Sequence, residues 1–541
     1  MTITAWEDKV KSKQAQTAAV IPPEWTLPAE ILREYSSSSA NVVDVPRACG
    51  ILTQREIHIT EDYDATALLE KLAAGAFTSV EVTTAFCKRA AIAQQLTCCL
   101  TEMFFDQALA RAKQLDEEFA RTGTTRGPLH GLPISIKESF NVPGVPTTLG
   151  FVSFLDRPPA SSSSALVEIL NDAGAVLYVK TNIPQTMMTP DSHNNVFGRV
   201  LNPHKLSLTA GGSSGGEGAL VAMRGSILGV GTDIAGSIRI PALCNGVFGF
   251  KPTACRIPYA GQTSAGRPGM TGILPSAGPL CHSIRDAELF LKVVLNSHPQ
   301  DLDDMALGVP YSPPAAAKAA LTVGLLPEDP AFPLHPPMRR TLNAAVKALT
   351  AAGHRVIDLS GQTPSFADAN ALALRYFRID PDRTALSHIT KAGEPFIPSL
   401  SVTYDLNPPT QEPTLRDLFG LNVARMQFAT QARKLFVEHK LDLVLGAAYQ
   451  TTAVPHDTYG VPAYTVLWNL VNYPACTLPF GEANETADKE YVRDVAYVPP
   501  YHPKEVEGAP CHIHLIGRPM ADEKLVQDTK TVSLAVNALV S

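Results

Sequence analysis

The chain has 541 residues, which is more than a single hydrophobic core usually organises. With 45% hydrophobic and 18% charged residues, its composition is typical of a globular protein. Its formal net charge of −7 argues against nucleic acid as a partner, because phosphate binding needs a basic face. No uninterrupted apolar run reaches about 18 residues, and the polar start MTITAWEDKVKSKQ lacks the apolar stretch of a signal peptide. We therefore expect no membrane span and a cytoplasmic location.

The cysteines point to the same compartment. There are nine, from Cys49 to Cys511, and no two of them form a C-x-x-C pair. This spacing argues against a zinc cage. We expect reduced thiols and no bound metal.

The first clear helix signals follow residues 1–60, which we interpret as an N-terminal helical extension. Asp64 is placed to cap a helix that ends near Gly75. Thr78 and Glu81 have the spacing of a capping box and open a second helix that reaches about Gln94. The order along the chain predicts two neighbouring helices before the first buried strand.

Strands and helices then alternate over the rest of the chain. Predicted strands cover residues 134–136, 175–180, 355–359, 442–445 and 512–517, and predicted helices cover 165–170, 344–352, 423–438 and a segment from about 522. Such alternation favours an α/β/α fold, a large mixed β-sheet with helices on both faces. The Pro- and Ala-rich stretch 297–320 is interpreted as a connection between two lobes. We assign residues 61–541 to one domain, with a core at 61–300 and a C-terminal sheet and helices at 320–541.

A Gly/Ser-rich stretch, AGGSSGGEG, occupies residues 210–218 and is followed by an apolar run instead of a solvated one. Within it, residues 211–215 fit G-x-S-x-G, the nucleophile elbow of α/β-hydrolases. That interpretation would make Ser213 a nucleophile with a histidine partner. An elbow, however, should follow a buried strand, and the preceding Leu206–Thr209 makes a poor one.

A longer pattern offers another interpretation of the same stretch. A second Ser-Gly loop ends at Ser237, 24 positions after Ser213, and the apolar run between them predicts a helix that leads back to the sheet. Upstream, GLPISIKE places Lys137 at the end of a buried strand. Burial lowers the pKa of a lysine, and a neutral amine can act as a general base. Lys137, Ser213 and Ser237 could thus relay a proton without a histidine.

These pieces together resemble the amidase signature family from about residue 62 onward. The resemblance rests on GLPISIKE at 131–138, on Gly211–Pro241 and on GVFGFKPT at 246–253. Three segments, PPEWTLP, FTSVEVTTAFCKRAAIAQQLT and HGLPIS at 130–135, are most similar to the fungal acetamidase, or general amidase, branch.

The resemblance implies a role for each motif residue. Ser237 would be the acyl-forming nucleophile, Ser213 the bridging serine with a cis bond to Gly212, and Lys137 the terminal base and acid. The oxyanion hole would be formed by the backbone N–H groups of Ile234, Ala235, Gly236 and Ser237. No metal or organic cofactor is implied.

Further residues are assigned around this centre. The resemblance places Met187 beside the substrate, although a Met there could equally fill the core. Asp233 and Arg239 are interpreted as a structural ion pair that braces the Ser237 loop. Ala235 stands where the family usually has glycine, and a positive φ there would cost about 1 kcal/mol. The segment 446–452, GAAYQTT, departs from the Pro-Thr-rich loop that the family carries near its substrate.

The predicted activity is hydrolysis of a small aliphatic or aryl carboxamide to an acid and ammonia or an amine. The expected partner is this small molecule, together with a possible homodimer. Two alternatives keep the same fold: an amidotransferase subunit that moves ammonia, and a non-catalytic protein. The acidic charge balance argues against the first, and the presence of Lys137, Ser213 and Ser237 argues against the second.

Overall fold

The computed structural model describes residues 6–314, 318–407 and 411–538. Thirteen strands are present in these ranges, β1 to β13 in chain order: Leu100–Met103, Pro133–Lys137, Val176–Thr181, His193–Asn194, Gly198–Arg199, Leu228–Asp233, Phe248–Lys251, Ser276–Cys281, Thr322–Leu325, Arg355–Asp358, Leu443–Gly446, Ala475–Glu482 and Pro510–Ile516. Strands β4 and β5 form a separate ribbon, and the other strands belong to one sheet.

Twenty α-helices, α1 to α20, occupy the same ranges. They are Trp6–Ala19, Ala29–Glu34, Val45–Ala48, Gln54–Glu61, Ala65–Ala73, Ser79–Thr97, Phe105–Thr122, Ala165–Asp172, Gly215–Ala222, Arg239–Asn245, Ile284–Leu295, Pro336–Ala351, Phe366–Phe377, Thr384–Ala392, Leu400–Thr403, Leu415–Glu438, Ala463–Leu470, Glu485–Asp488, Pro503–Val506 and Asp522–Asn537. None of these helices is long and apolar enough to cross a membrane.

The large sheet has the order β1-β3-β2-β6-β8-β7-β12-β13-β11-β9-β10. It is mixed: β3, β2 and β6 are mutually parallel, whereas β8, β7, β12 and β13 pair antiparallel. Every residue of β2, β3 and β6 is buried, so both faces of the sheet are covered there, as buried parallel strands require. The α/β/α prediction is confirmed.

Local sequence signals explain the helices that pack nearest the start of this sheet. Asp64 caps α5 by accepting from the N–H of Ala67 at 2.9 Å. Thr78 and Glu81 form both bonds of the predicted capping box at the start of α6. The two helices begin where these caps predict, and α6 extends three residues beyond the predicted end, to Thr97.

The connection at residues 296–321 joins α11 to β9, and residues 315–317 within it lie outside the described part. A strand from before this connection, β7, pairs directly with a strand from after it, β12. Both halves of the chain therefore contribute to one sheet. All nine cysteines are free thiols.

Candidate active site

Lys137 is the last residue of β2 and is completely buried. Its Nζ donates to the hydroxyl of Ser213 at 2.7 Å and to the hydroxyl of Thr232 at 2.8 Å. Burial lowers the pKa of Lys137 to about 7, although the charges of Asp233 and Glu217 oppose the shift. An amine with this pKa is partly neutral near pH 7 and can accept a proton.

Ser213 lies in the loop that leads into α9, and its peptide bond to Gly212 is cis. The loop is packed so closely that a Cβ on Gly212 would lie 2.4 Å from the carbonyl oxygen of Thr189, which explains the glycine there. Ser192 braces the loop by donating to the carbonyl of Gly211 at 2.8 Å. The Ser213 hydroxyl is therefore held rigidly against Lys137.

Ser237 lies in the second Ser-Gly loop, between β6 and α10, and is 8% exposed. The two loops are joined directly, because the N–H of Ser214 donates to the carbonyl of Ser237 at 3.2 Å. The side chains of Ser213 and Ser237 border the same cavity. The structure thus brings together all three predicted catalytic residues.

Asp233 and Arg239 form a fully buried ion pair, with Nε to Oδ2 at 3.0 Å. Burial opposes ionisation of Asp233, but the charge and hydrogen bonds of Arg239 outweigh it and hold the pKa of Asp233 well below its usual range. Asn469 also donates to this carboxylate, at 2.9 Å. The pair is structural, as the sequence predicts: it fixes the loop that carries Ser237.

One of the four N–H groups predicted to form the oxyanion hole is already engaged in another hydrogen bond. The N–H of Gly236 donates to Oδ1 of Asp233 at 2.8 Å and is therefore engaged in the loop brace. The N–H groups of Ile234, Ala235 and Ser237 make no hydrogen bond within the described residues. Three of the four predicted donors remain available to a carbonyl oxygen.

The alanine at position 235 fits without strain. Ala235 has a negative φ, whereas Gly236 has a φ of 139°. A Cβ on Gly236 would lie 2.4 Å from Oγ1 of Thr465. Position 236 therefore requires glycine, because its φ is positive. Position 235 does not, and the methyl group of Ala235 causes no backbone strain.

A cavity of about 270 Å³ opens beside Ser237. Met187 lines it, in the position that the resemblance implies. The segment 446–452 does not border it: Tyr449 is buried in a separate cluster with Leu208 and Leu243. The sequence departure in that segment therefore lies outside the walls of this cavity.

Sequence reasoning missed several residues of this site. Thr232, the second acceptor for Lys137, lies in the motif GTD but carries no signal of its own. The outer cavity wall comes from α13, α14 and the segment after α15, through Phe377, Leu386 and Tyr404. No short motif marks these residues, since tertiary packing alone brings them to the site.

The histidine alternative finds no support in this geometry. The Ser213 hydroxyl accepts from Lys137, and in the described residues no histidine borders the cavity. His512 and His514, the pair on β13, are completely buried, and Nε2 of His512 accepts from the N–H of Ala448.

Comparison with known proteins agrees with this fold. The family model described as Amidase matches residues 81–526. An amidase from Gibberella moniliformis is 39% identical over 98% of this chain and 99% of its own length. An acetamidase from Emericella nidulans is 36% identical over 99% of each. The solved structure of a fatty acid amide hydrolase superposes with a TM-score of 0.92 at 33% identity, covering 98% of this chain and 95% of its own.

Similarity to these proteins over nearly the full length of the chain places this protein among the amide hydrolases. The chain belongs to the amidase family, the amidase signature family whose motifs its sequence carries.

Proposed function

We propose that this amidase hydrolyses a carboxamide through an acyl-enzyme, with Ser237 as nucleophile, Ser213 as bridge and Lys137 as terminal base and acid. One observation carries the proposal. The fully buried amine of Lys137 donates to two neutral hydroxyls, those of Ser213 and Thr232. Such surroundings leave its pKa near 7 and its lone pair available for the proton of a serine.

The reaction has two acyl-transfer steps. The Ser237 Oγ forms a bond to the amide carbon while its proton passes through the Ser213 hydroxyl to Lys137 Nζ. The C–N bond then breaks, and the same proton returns through Ser213 to the leaving nitrogen. Water next adds to the acyl carbon and loses its proton by the same route to Lys137. The ester bond to Ser237 then breaks, and the proton returns through Ser213 to the Ser237 oxygen. The products are a carboxylic acid and ammonia or an amine.

Negative charge develops on the carbonyl oxygen in both steps. The N–H groups of Ile234, Ala235 and Ser237 are proposed to bind that oxygen, because they lie together beside the nucleophile and make no other hydrogen bond within the described residues. Donors of this kind are worth roughly 10²–10³ in rate when they are fixed in place. Asp233 and Arg239 fix them.

The substrate class is proposed to be acetamidase-like, small aliphatic or aryl amides. The names of the fungal relatives, amidase and acetamidase, support this assignment. The cavity beside Ser237 is mostly apolar, and its volume of about 270 Å³ lies close to the lower end of the range, about 300–1,000 Å³, that small-molecule sites have.

The test compares wild type with Ser237→Ala on acetamide and benzamide, with ammonia release as the readout. Turnover should be abolished in the variant, and an acid-quenched reaction of the wild type with p-nitrophenyl acetate should show one acetyl group added at Ser237. Ser79→Ala is the matched control: Ser79 is also buried, makes no side-chain hydrogen bond and does not border the cavity. Full activity in Ser237→Ala would refute the assignment.

A further inference from the structure

Glu217, an acid with no part in the proposed relay, is the third residue of α9 and is completely buried. Its Oε2 lies 2.5 Å from the hydroxyl of Ser135, and its Oε1 lies 2.9 Å from the hydroxyl of Thr181. Ser135 and Lys137 are two residues apart on β2 and share one face of the sheet, and Thr181 is in register with Lys137. The Glu217 carboxyl therefore lies on the face that carries the proposed base.

The close contact between Glu217 and Ser135 is built into the packing of the sheet. Gly229 of β6 is in register with Ser135, and a Cβ on Gly229 would lie 2.1 Å from Oε2 of Glu217. The carboxyl thus fills the space that the missing side chain leaves. Any larger residue at position 229 would collide with the acid.

The surroundings of Glu217 suit a neutral acid. Within the described residues, no backbone N–H donates to its carboxyl and no lysine or arginine forms an ion pair with it. The titratable groups that face it are Lys137, the thiol of Cys99 and the phenol of Tyr178. Burial raises the pKa of the thiol to about 12 and that of the phenol well above its ordinary value, so both are neutral. Burial also raises the pKa of Glu217 to about 8.

Asp233, the other buried acid near Lys137, shows what a charged acid has in this protein. Its carboxylate accepts from the guanidinium of Arg239 at 3.0 Å and from the N–H of Gly236 at 2.8 Å. Glu217 has neither a cation nor an N–H donor of this kind. Two equally buried acids are thus surrounded in opposite ways, one by groups that stabilise negative charge and one by hydroxyls alone.

The hydroxyl hydrogens around Glu217 are too few for the contacts observed. Ser226 donates its single hydroxyl hydrogen to the carbonyl of Leu228 at 3.0 Å. Ser135 donates its own to Oγ of Ser226 at 2.8 Å. Ser135 then has no hydrogen left for its contact of 2.5 Å with Oε2 of Glu217. That contact is a hydrogen bond only if the carboxyl is protonated and donates to Ser135.

We propose that Glu217 is a neutral carboxylic acid that donates to Ser135 and acts as a positioning residue for Lys137. The inference rests on the proposed function, because its consequence concerns the proposed base. The negative charge of an ionised Glu217 would favour the ammonium form of Lys137, whereas the neutral acid leaves the lone pair of the amine available. The acid also ties α9, which follows the Ser213 loop, to β2 and β3. It thereby holds both partners of the relay in place.

Infrared difference spectroscopy tests the proton on Glu217 directly and needs no substrate. At about pH 6, below the raised pKa of Glu217, wild type minus Glu217→Gln should contain the carbonyl stretch of a carboxylic acid, shifted in D2O. Glu328, ion-paired with Arg493 at 2.7 Å, is the matched control: wild type minus Glu328→Gln should contain carboxylate bands. Carboxylate bands in the Glu217 difference spectrum would overturn the proposal and leave the Ser237 mechanism intact.

Ser226→Ala tests the hydrogen count. Without the Ser226 hydroxyl, the hydrogen of Ser135 can turn toward Glu217 and stabilise its carboxylate. The pH at which the acid band disappears should therefore fall by about one unit or more. An unchanged titration would show that Ser135 already donates to Glu217 in the wild type, and the proposal would be wrong.

The rate and its pH dependence test the positioning role. Glu217→Leu removes the bonds to Ser135 and Thr181, so kcat/KM for acetamide should fall about tenfold, the equivalent of one or two hydrogen bonds. Glu217→Gln has the shape of the neutral acid, with an N–H for Ser135 and a carbonyl for Thr181. It should restore most of that loss and keep the acidic limb within about 0.3 pH unit of wild type.

Two results of these rate measurements would contradict the role of Glu217. An acidic limb that moves about one unit lower in Glu217→Gln would show that wild-type Glu217 is charged. Equal losses in the glutamine and leucine variants would show that its hydrogen bonds do not position Lys137. Absence of Ser237-dependent turnover in the wild type would instead refute the proposed function, and the infrared spectra would still decide the proton on Glu217.

Discussion

Two adjacent strands of the sheet carry fully buried lysines with very different surroundings. Lys137 ends β2, and Lys180 is the penultimate residue of β3, in register with Ile136. Lys180 lies 3.3 Å from the carboxylate of Glu138, which is also completely buried. Lys137 instead faces the hydroxyls of Ser213 and Thr232. Burial alone therefore does not distinguish a base from a structural cation.

The two lysines differ in whether a carboxylate lies close enough to stabilise a positive charge on the amine. Burial lowers the pKa of both lysines, and nearby acidic side chains oppose that effect at both: Asp233 and Glu217 at Lys137, Glu138 and Glu102 at Lys180. Of the two lysines, only Lys180 has a carboxylate within ion-pair distance. A buried ammonium with a carboxylate partner gains by remaining charged, and it holds that partner in place. Lys137 has only hydroxyl acceptors, one of which belongs to the proposed relay. The comparison predicts that changing Lys137 affects rate and changing Lys180 affects stability.

The largest effect is expected from Lys137→Met. It removes the proposed base and acid, so kcat/KM for acetamide should fall about 10³-fold, within the range for general acid–base catalysis. Methionine fills the site without leaving a charged partner unpaired, so the melting temperature should stay the same or rise. Activity within a few-fold of wild type would show that Lys137 has only a structural role.

Lys180→Met should have the opposite pattern. It leaves the buried carboxylate of Glu138 with hydrogen bonds from Thr101 and Thr148 but with no ion-pair partner nearby. We expect the free energy of unfolding to fall by about 3–5 kcal/mol, as on breaking other buried pairs. Activity per folded molecule should remain within a few-fold of wild type. Denaturant melts and active-site titration of the same samples separate the two quantities.

The pH profile sharpens the comparison. The neutral form of Lys137 accepts the proton and the ammonium form cannot, so kcat/KM should rise with pH through about 7, the lowered pKa, and then level off. Lys180→Met should keep this acidic limb. Circular dichroism at each pH checks that the loss on the acidic side is not unfolding. A flat profile across this range would contradict the role of Lys137.

The sequence predicts most of the fold because its signals are local. The caps at Asp64 and Thr78 place their helices correctly. Two helix starts are wrong: α12 begins at Pro336 instead of 344, and α16 at Leu415 instead of 423. The second has a capping box of Thr414 with Asp417, an uncommon variant of the usual Ser/Thr-x-x-Glu.

The centre of the site was also accessible from the sequence, but its surroundings were not. Dense glycines and a lysine at a strand end are visible as motifs. The capture of the Gly236 N–H by Asp233 depends on how one loop folds. The cavity walls, such as Phe377 and Leu386, are brought to Ser237 from far along the chain, and the partner of Lys180 is revealed only by packing. Contacts between residues far apart in the chain produce no periodic pattern in the sequence from which they could be predicted.

The smallest effect is expected at Thr232, the acceptor that completes the surroundings of Lys137. Thr232→Val removes a hydrogen bond that is strongest when the lysine is charged, so the pKa of Lys137 should fall further and the acidic limb should move to lower pH. Loss of positioning should lower kcat/KM about tenfold, the equivalent of one such bond. Thr232→Ser keeps the hydroxyl and should restore both properties. If valine and serine behave alike, Ser213 alone positions the amine. The contrast with Lys180 then becomes sharper, because Lys180 also donates to the carbonyl of Pro146 at 2.8 Å and to the hydroxyl of Thr147 at 2.6 Å.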